Sequence, residues 1–187
     1  MDLVKGPVFA GVMLALATVP ASASPCDLDV LIAFEEGAPR DRFSIENRSI
    51  GDWTVGAITI DLSASTGGLF FDTDAGGAGS QVFQPFVPLD APDVRLRRIT
   101  HLHDGGSRIT LDFDEMPPGA RFQFSLDVDD PNPVSPGGAT QITKSEIEGA
   151  LVRAVMRGPN GTLSAKEARF GDDAAAHIQP SWCAKLS

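Results

Sequence analysis

The segment 108–129 alternates between apolar and polar side chains, and this alternation restricts the fold more than any other feature of the chain. The apolar positions flank the tetrapeptide Met116-Pro117-Pro118-Gly119 and are Ile109, Leu111, Phe113, Ala120, Phe122, Phe124, Leu126 and Val128. A period of two places successive side chains on opposite faces of a strand. The segment therefore predicts two strands, each with one buried face and one solvated face.

We expect these two strands to form a hairpin around Pro117-Pro118. The facing pairs would be Phe113 with Phe122, Leu111 with Phe124, Ile109 with Leu126, Asp114 with Arg121, Thr110 with Ser125 and Arg108 with Asp127. In that register apolar residues face apolar residues and opposite charges meet twice. A shift by one residue would mismatch both faces.

Shorter segments repeat the same signal at nearly regular spacing. Strands are expected at 29–34, 42–47, 53–63, 68–71, 81–87 and 94–102, with turns of Gly, Pro and Asp between them. Pro85 suits an edge strand, and Arg97-Arg98 interrupts the alternation as a β-bulge would. Many short strands joined by such turns indicate a sandwich or a barrel. We expect an all-β fold, an immunoglobulin-like antiparallel β-sandwich.

The segment 143–156 carries two competing patterns. A capping box of Ser145 and Glu148, followed by apolar residues at helical spacing, favours a helix. Gly149 weakens a helix, and the residues after it alternate as in a strand. We expect one helical turn followed by a strand, which then turns back through 158–161.

Residues 1–23 have the features of a secretory signal peptide. Lys5 precedes the apolar run 8–19, and Ala21-Ser22-Ala23 provides a cleavage motif of small residues. The apolar run is shorter than the roughly 20 residues that span a bilayer. We therefore expect cleavage after Ala23 and a single domain over 24–187. That domain would be exported to the periplasm, the extracellular space or the cell surface, with no membrane insertion after signal removal.

The two cysteines lie near the ends of the expected mature domain. Cys26 and Cys183 have no neighbouring His or Cys at a spacing typical of metal sites. In an oxidising compartment a lone pair of cysteines usually forms a disulfide. We expect Cys26 and Cys183 to be bonded, because the termini of a compact domain are often close together.

Charge and motif content exclude several classes of function. The chain has 15 Lys and Arg against 25 Asp and Glu, a net charge of -10, which opposes binding to nucleic acid or an anionic membrane. It contains no G-x-S-x-G, no H-E-x-x-H and no P-loop motif. We expect no enzymatic activity. The cluster at Arg95, Arg97 and Arg98 is typical of a charged edge strand, although it would also suit a carboxylate or sulfate group.

Two groups of residues are candidate metal ligands. His101 and His103 would share one face of a strand, where both imidazoles could reach a transition metal. The alternative is a pair of exposed histidines near a turn.

Acidic loops are the second group, and they suit a hard cation such as calcium, which binds carboxylate and carbonyl oxygens. The residues concerned are Asp72, Asp74, Asp127, Asp129 and Asp130. The alternative is that these aspartates form ordinary turns through their side-chain hydrogen bonds.

Three segments, 67–86, 117–131 and 143–156, resemble small exported bacterial proteins labelled aggregation factor core. The shared pattern is F-D-x…G-x-G…V-F-Q-P-F, then P-G-x…F-x-D-V-D-D, then S-E-I-x-G-A. The resemblance implies an extracellular β-domain that acts in calcium-assisted cell aggregation. It implies no particular binding residues.

We therefore expect a non-catalytic exported β-sandwich protein for cell-surface adhesion, aggregation or recognition. Calcium is the candidate cofactor, and a surface glycan or protein is the candidate partner. The alternative hypothesis is a periplasmic transition-metal-binding protein that uses His101 and His103.

Overall fold

A computed structural model describes residues 27–37, 40–80, 83–89, 91–132 and 140–179. Within these ranges the chain forms twelve strands, one short α-helix and two 3-10 helices, Leu62–Ala64 and Pro159–Gly161. The strands are β1 (Val30–Glu35), β2 (Arg42–Asn47), β3 (Thr54–Asp61), β4 (Phe70–Asp72), β5 (Val87–Pro88), β6 (Arg95–Thr100), β7 (Arg108–Glu115), β8 (Arg121–Ser125), β9 (Asp127–Asp129), β10 (Leu151–Arg157), β11 (Leu163–Arg169) and β12 (Ala175–Ile178). The helix α1 is Lys144–Ile147.

Two open antiparallel sheets of five strands make up most of the fold. The first sheet has the order β12-β1-β2-β8-β5, and the second has the order β11-β10-β3-β7-β6. Strands β4 and β9 form a separate two-stranded sheet. The arrangement is consistent with the β-sandwich expected from the sequence.

The core lies between the inner faces of the two large sheets. Alternate residues of each long strand are buried, as in β7, where Ile109, Leu111 and Phe113 have no exposed surface. The ring of Phe113 in the second sheet meets that of Phe122 in the first edge-to-face, with centroids 5.4 Å apart. Such aromatic pairs add about 0.5–1.5 kcal/mol beyond the burial of their surface.

The expected hairpin of the two alternating strands is wrong, although both buried faces are confirmed. β7 pairs with β3 and β6 in the second sheet, whereas β8 pairs with β2 and β5 in the first. The segment between them crosses from one sheet to the other. Asn47 holds this crossing, because its side-chain amide donates to the carbonyls of Trp53 and Met116 at 2.8 and 3.1 Å.

The expected charge pairs of that hairpin are wrong for the same reason. Arg108 pairs with Asp61 on β3, its neighbouring strand in the second sheet. Arg121 lies 3.5 Å from Glu46 on β2. Asp127 is therefore left without the arginine that the sequence assigned to it.

Most of the other expected strands are confirmed with small shifts at their ends. The segment 42–47 is β2 with the same bounds, and the bulge at Arg97-Arg98 appears as a register shift between β6 and β7. β6 ends at Thr100, two residues earlier than expected. The strand expected at 81–87 is much shorter and later in the described residues, where only β5 (Val87–Pro88) forms.

The segment 143–156 forms a helical turn and then a strand, as expected. The capping residues differ from the expected pair, because the N-cap is Thr143 and its partner is Glu146. The Thr143 amide and hydroxyl both donate to Glu146 Oε2 at 2.7 Å. β10 then pairs antiparallel with β11, which confirms the turn at 158–161.

The signal peptide at 1–23 and the pair Cys26 and Cys183 lie outside the described residues. The expectations for them therefore stay predictions. No helix in the described ranges has the length and apolar character needed to cross a membrane.

Candidate metal centre

The small sheet of β4 and β9 brings three aspartates onto one face. Asp72 faces Asp127 across the two strands, and Asp129 follows two residues later on β9. Between them, Phe71 and Val128 turn the other way and are fully buried in the core. Strand alternation therefore directs all three carboxylates away from the core and toward one another. One oxygen from each lies within 4.8 Å of the other two.

These carboxylates are buried and incompletely hydrogen-bonded. Asp72, Asp127 and Asp129 are 0%, 5% and 1% exposed. Within the described residues, both oxygens of Asp72, Oδ2 of Asp127 and Oδ1 of Asp129 have no hydrogen-bond partner. A buried unpaired carboxylate oxygen is costly, and native proteins rarely keep one without a compensating group.

A fourth carboxylate, Asp41, lies immediately before β2 and packs beside β9. Its Oδ2 accepts from the amide of Val128 at 3.0 Å, and its carbonyl accepts from the amide of Leu126 at 3.2 Å. Asp41 is only 3% exposed, and the negative charges of Glu36 and Asp129 help to raise its pKa. Residues distant in sequence thus concentrate negative charge at one end of the sandwich.

Burial is the main cause of the raised pKa of all four groups. It raises the pKa of Asp41 and of Asp127 to about 7 and that of Asp72 to about 6. The pKa of Asp129 is also raised by burial. For Asp127, the charges of Asp129, Asp41 and Asp72 add to the effect. Among the described residues, no Arg or Lys comes within 4.0 Å of these carboxylates.

The glycine-rich loop 73–80 covers the acidic centre. The amide of Ser80 donates to Asp129 Oδ2 at 2.6 Å. Gly79 lies so close that a Cβ there would overlap Oδ2 of both Asp72 and Asp129. A glycine at position 79 is therefore what allows the backbone to approach the carboxylates.

Asp104, in the turn between β6 and β7, holds this loop in place. Its carboxylate accepts from the amides of Thr73, Asp74 and Ala78 at 2.9, 3.2 and 2.6 Å. These hydrogen bonds stabilise its charge and lower the pKa of Asp104. Asp104 therefore organises the loop and has little remaining capacity to act as a metal ligand.

The geometry of the three aspartates suits a hard divalent cation. Three atoms that lie within 4.8 Å of one another share a point no more than about 2.8 Å from each. Calcium–oxygen distances are about 2.3–2.6 Å, so a small closure of the side chains would complete the contacts. Zinc prefers nitrogen and sulfur ligands, which this group lacks. Asp72, Asp127 and Asp129 can therefore hold a metal ion such as calcium.

The structure brings together three of the five aspartates that the sequence singled out. Asp74 is exposed on the loop, and Asp130 is buried with its Oδ1 accepting from the amide of Asn132 at 2.6 Å. Neither belongs to the group of three. The sequence did not place Asp41 or Asp104 at this centre, because only the tertiary fold brings them to β9 and to the loop.

The two histidines do not lie on a strand, so strand alternation does not give them a common face. Both follow the end of β6, and His101 has a left-handed backbone with φ of 65°. His103 Nδ1 lies 3.3 Å from the carbonyl oxygen of His101. No metal-ligating group of three or more among the described residues includes either histidine. Transition-metal binding at His101 and His103 stays a prediction.

The arginines of β6 are engaged in ion pairs along the edge of the second sheet. Arg98 donates to Asp112 Oδ2, Arg97 lies 3.8 Å from Asp114, and Arg95 lies 3.3 Å from Glu115. This arrangement is typical of a charged, protected edge strand.

No family model, no curated protein and no solved structure matches this chain, so the functional argument depends on the fold and the acidic centre.

Proposed function

We propose that this protein is a non-catalytic, calcium-binding β-sandwich that acts in adhesion or recognition at the cell surface. Asp72, Asp127 and Asp129 would hold the ion. The observation that carries the proposal is the set of four buried carboxylate oxygens for which the described part of the chain offers no hydrogen-bond partner. A bound divalent cation would neutralise their charge and satisfy these oxygens at the same time.

Calcium fits the composition of the centre better than other common ions. It takes six to eight oxygen ligands in flexible geometry, whereas magnesium demands a near-ideal octahedron at about 2.0–2.1 Å. The loop backbone and water can supply the remaining oxygens. Extracellular calcium modules work at dissociation constants of about 10⁻⁴ to 10⁻³ M, a range that suits an exported protein.

The adhesive role rests on the overall character of the protein. The sandwich fold, the lack of a recognisable catalytic motif and the resemblance to aggregation factor core proteins all favour a binding function. Export through the signal peptide at 1–23, the disulfide between Cys26 and Cys183 and the immunoglobulin-like form of the sandwich belong to the same proposal.

Thermal unfolding tests whether the ion binds. We expect millimolar calcium to raise the melting temperature and a chelator to reverse the rise, because a ligand that binds only the folded state stabilises it. Asp129→Asn should abolish the response. Asp52→Asn, an exposed aspartate outside the centre, is the matched control and should leave it intact. An unchanged melting curve of the wild-type protein in calcium would overturn the proposed ion site.

Bead clustering tests the adhesive role separately. Beads coated with the protein should cluster in calcium and disperse in chelator, and beads coated with Asp129→Asn should stay dispersed. If calcium raises the melting temperature but no clustering occurs, the ion is structural and the adhesive role is wrong.

A further inference from the structure

The outer face of the second sheet contains a depression of about 290 Å³, lined by polar side chains and by Leu151. The strand register aligns Glu167, Arg153, Thr59 and Thr110 in one row across β11, β10, β3 and β7. The two threonines are short and stand between longer side chains, so they form the floor. Their hydroxyls are 2.9 Å apart and hydrogen-bonded to each other.

His101 forms the wall of the depression beside Thr110. Its Nδ1 lies 3.2 Å from Thr110 Oγ1 and 3.2 Å from Thr100 Oγ1, which fixes the ring over the floor. The backbone of His101 is left-handed, a conformation that costs energy for a residue other than glycine. Such strain is commonly retained at functional sites.

Two arginines border the depression, and they differ in how tightly they are held. Arg108 Nε donates to Asp61 Oδ2 at 3.0 Å, so its position is set by an ion pair. Arg153 lies 3.9 Å from Glu167, and both side chains are 56% exposed. The guanidinium of Arg153 therefore keeps donors available for a ligand.

The five strands of the second sheet carry a net positive charge, opposite to that of the whole chain, whereas the lining of the depression itself balances Arg108 and Arg153 against Asp61 and Glu167. Strands β3, β6, β7, β10 and β11 together carry eight Arg and Lys residues and five Asp and Glu residues. The whole chain has 15 and 25, respectively. The positive field of the second sheet would favour an anionic ligand here over the rest of the surface.

We propose that this depression binds one acidic sugar residue of a surface or extracellular polysaccharide. The guanidinium of Arg153 would pair with the sugar carboxylate, which it can contact through two parallel hydrogen bonds. The hydroxyls of Thr59 and Thr110 and the carboxylate of Asp61 would bind ring hydroxyls.

A sugar suits the lining better than an acidic peptide does. Sugar hydroxyls both donate and accept, so they match a site that mixes guanidinium donors, hydroxyls and carboxylate acceptors. The volume lies at the low end of ligand sites, so it fits a single small ring.

Titration with defined oligosaccharides tests this proposal. The probes are a galacturonic acid trisaccharide, the neutral galactose trisaccharide, and triglutamate. None of the lining residues belongs to the acidic centre, so binding is measured both in chelator and in calcium. A failure of sugar binding can then be distinguished from a failure of the proposed calcium function, because sugar binding is expected in chelator as well.

We expect the galacturonic acid trisaccharide to bind in chelator and in calcium, and the neutral trisaccharide to bind about tenfold more weakly or not at all. Arg153→Ala should weaken binding by about tenfold without changing the melting temperature. Arg121→Ala is the matched control, because Arg121 is 54% exposed on the first sheet and has a similar ion pair with Glu46.

The proposal is overturned if the acidic trisaccharide does not bind, or if Arg121→Ala and Arg153→Ala weaken it equally. Binding of triglutamate as tight as that of the sugar would also overturn it, since charge alone would then be recognised. Binding only in calcium would assign the sugar to an ion-bridged site elsewhere.

Discussion

At the scale of single residues, Asp127 shows how burial controls the chemistry of the acidic centre. Its pKa is raised to about 7 first by burial and then by the charges of Asp129, Asp41 and Asp72. In water an aspartate is fully ionised at neutral pH. In this centre the carboxylate is poised between its protonated form and an ionised form that a cation would stabilise.

The raised pKa values predict how the calcium-free protein depends on pH. Asp41 and Asp127 have pKa values of about 7 when folded, against 3.8 for the ordinary side chain. The folded state therefore binds more protons than the unfolded state does. The contribution of these two carboxyl groups to the free energy of unfolding is fully present below pH 3.8 and is lost as the pH rises through about 7. We expect the free energy of unfolding measured in urea and chelator to fall over that interval.

The variant Asp127→Asn should reduce this slope, because its amide stays neutral at every pH. Saturating calcium should reverse the slope, since the ion binds the deprotonated carboxylates. Stability in chelator that rises between pH 4 and 7 would contradict the raised pKa values.

At the scale of secondary-structure elements, the segment between β7 and β8 decides the topology. A period-two alternation has the same appearance when two strands are neighbours in one sheet and when they face each other from two sheets. Here Phe113 and Phe122 meet across the sandwich, with their ring centroids 5.4 Å apart. The sequence correctly predicted that these two apolar side chains meet. They meet through packing between the two sheets and not through strand pairing within one sheet.

Engineered cysteine pairs can test this strand arrangement. Ser44 on β2 and Gln123 on β8 face each other in the register of the first sheet. We expect Ser44→Cys with Gln123→Cys to form a disulfide under mild oxidation, because facing strand positions bring Cβ atoms close enough. Peptide mapping by mass spectrometry would identify the bond and separate it from any bond of Cys26 or Cys183.

Asp112→Cys with Gln123→Cys is the contrasting pair, since these positions would face each other in a hairpin of β7 and β8. Asp112 instead faces Ala57 on β3. We expect no bond between them. A disulfide in this second pair, with none in the first, would restore the hairpin and contradict the sandwich topology described here.

At the scale of the whole molecule, the acidic centre connects the two large sheets. β4 follows β3 of the second sheet along the chain, and β9 follows β8 of the first. Asp72 on β4 and Asp127 on β9 therefore lie on segments that follow strands of different sheets along the chain. A cation held between them would link the two halves of the sandwich at one end.

This connection predicts that calcium stabilises the whole domain and not only loop 73–80. At a hundredfold excess over the dissociation constant, the ion should add about 2.7 kcal/mol to the free energy of unfolding. We expect the slowest-exchanging backbone amides of β3 and β8 to slow together in calcium, as measured by hydrogen exchange. Protection confined to the loop would show that the ion orders only its immediate surroundings.

The sequence by itself determined most of the elements and their buried faces. Alternation along 108–129, the bulge at Arg97-Arg98 and the helical turn before β10 are local patterns, and local backbone geometry translates each of them directly into structure. The acidic loops were also visible, because Asp72, Asp127 and Asp129 are close to glycine-rich or strand-end positions.

Only the tertiary structure decided which strands became neighbours and which carboxylates met. Pairing of β8 with β2, and the approach of Asp41 and Asp104 to the acidic centre, join residues far apart in sequence. No local pattern encodes these contacts, because strand order follows from the packing of two complete apolar faces against each other. The same packing buried the carboxylates, and burial is what turned ordinary aspartates into a candidate calcium centre.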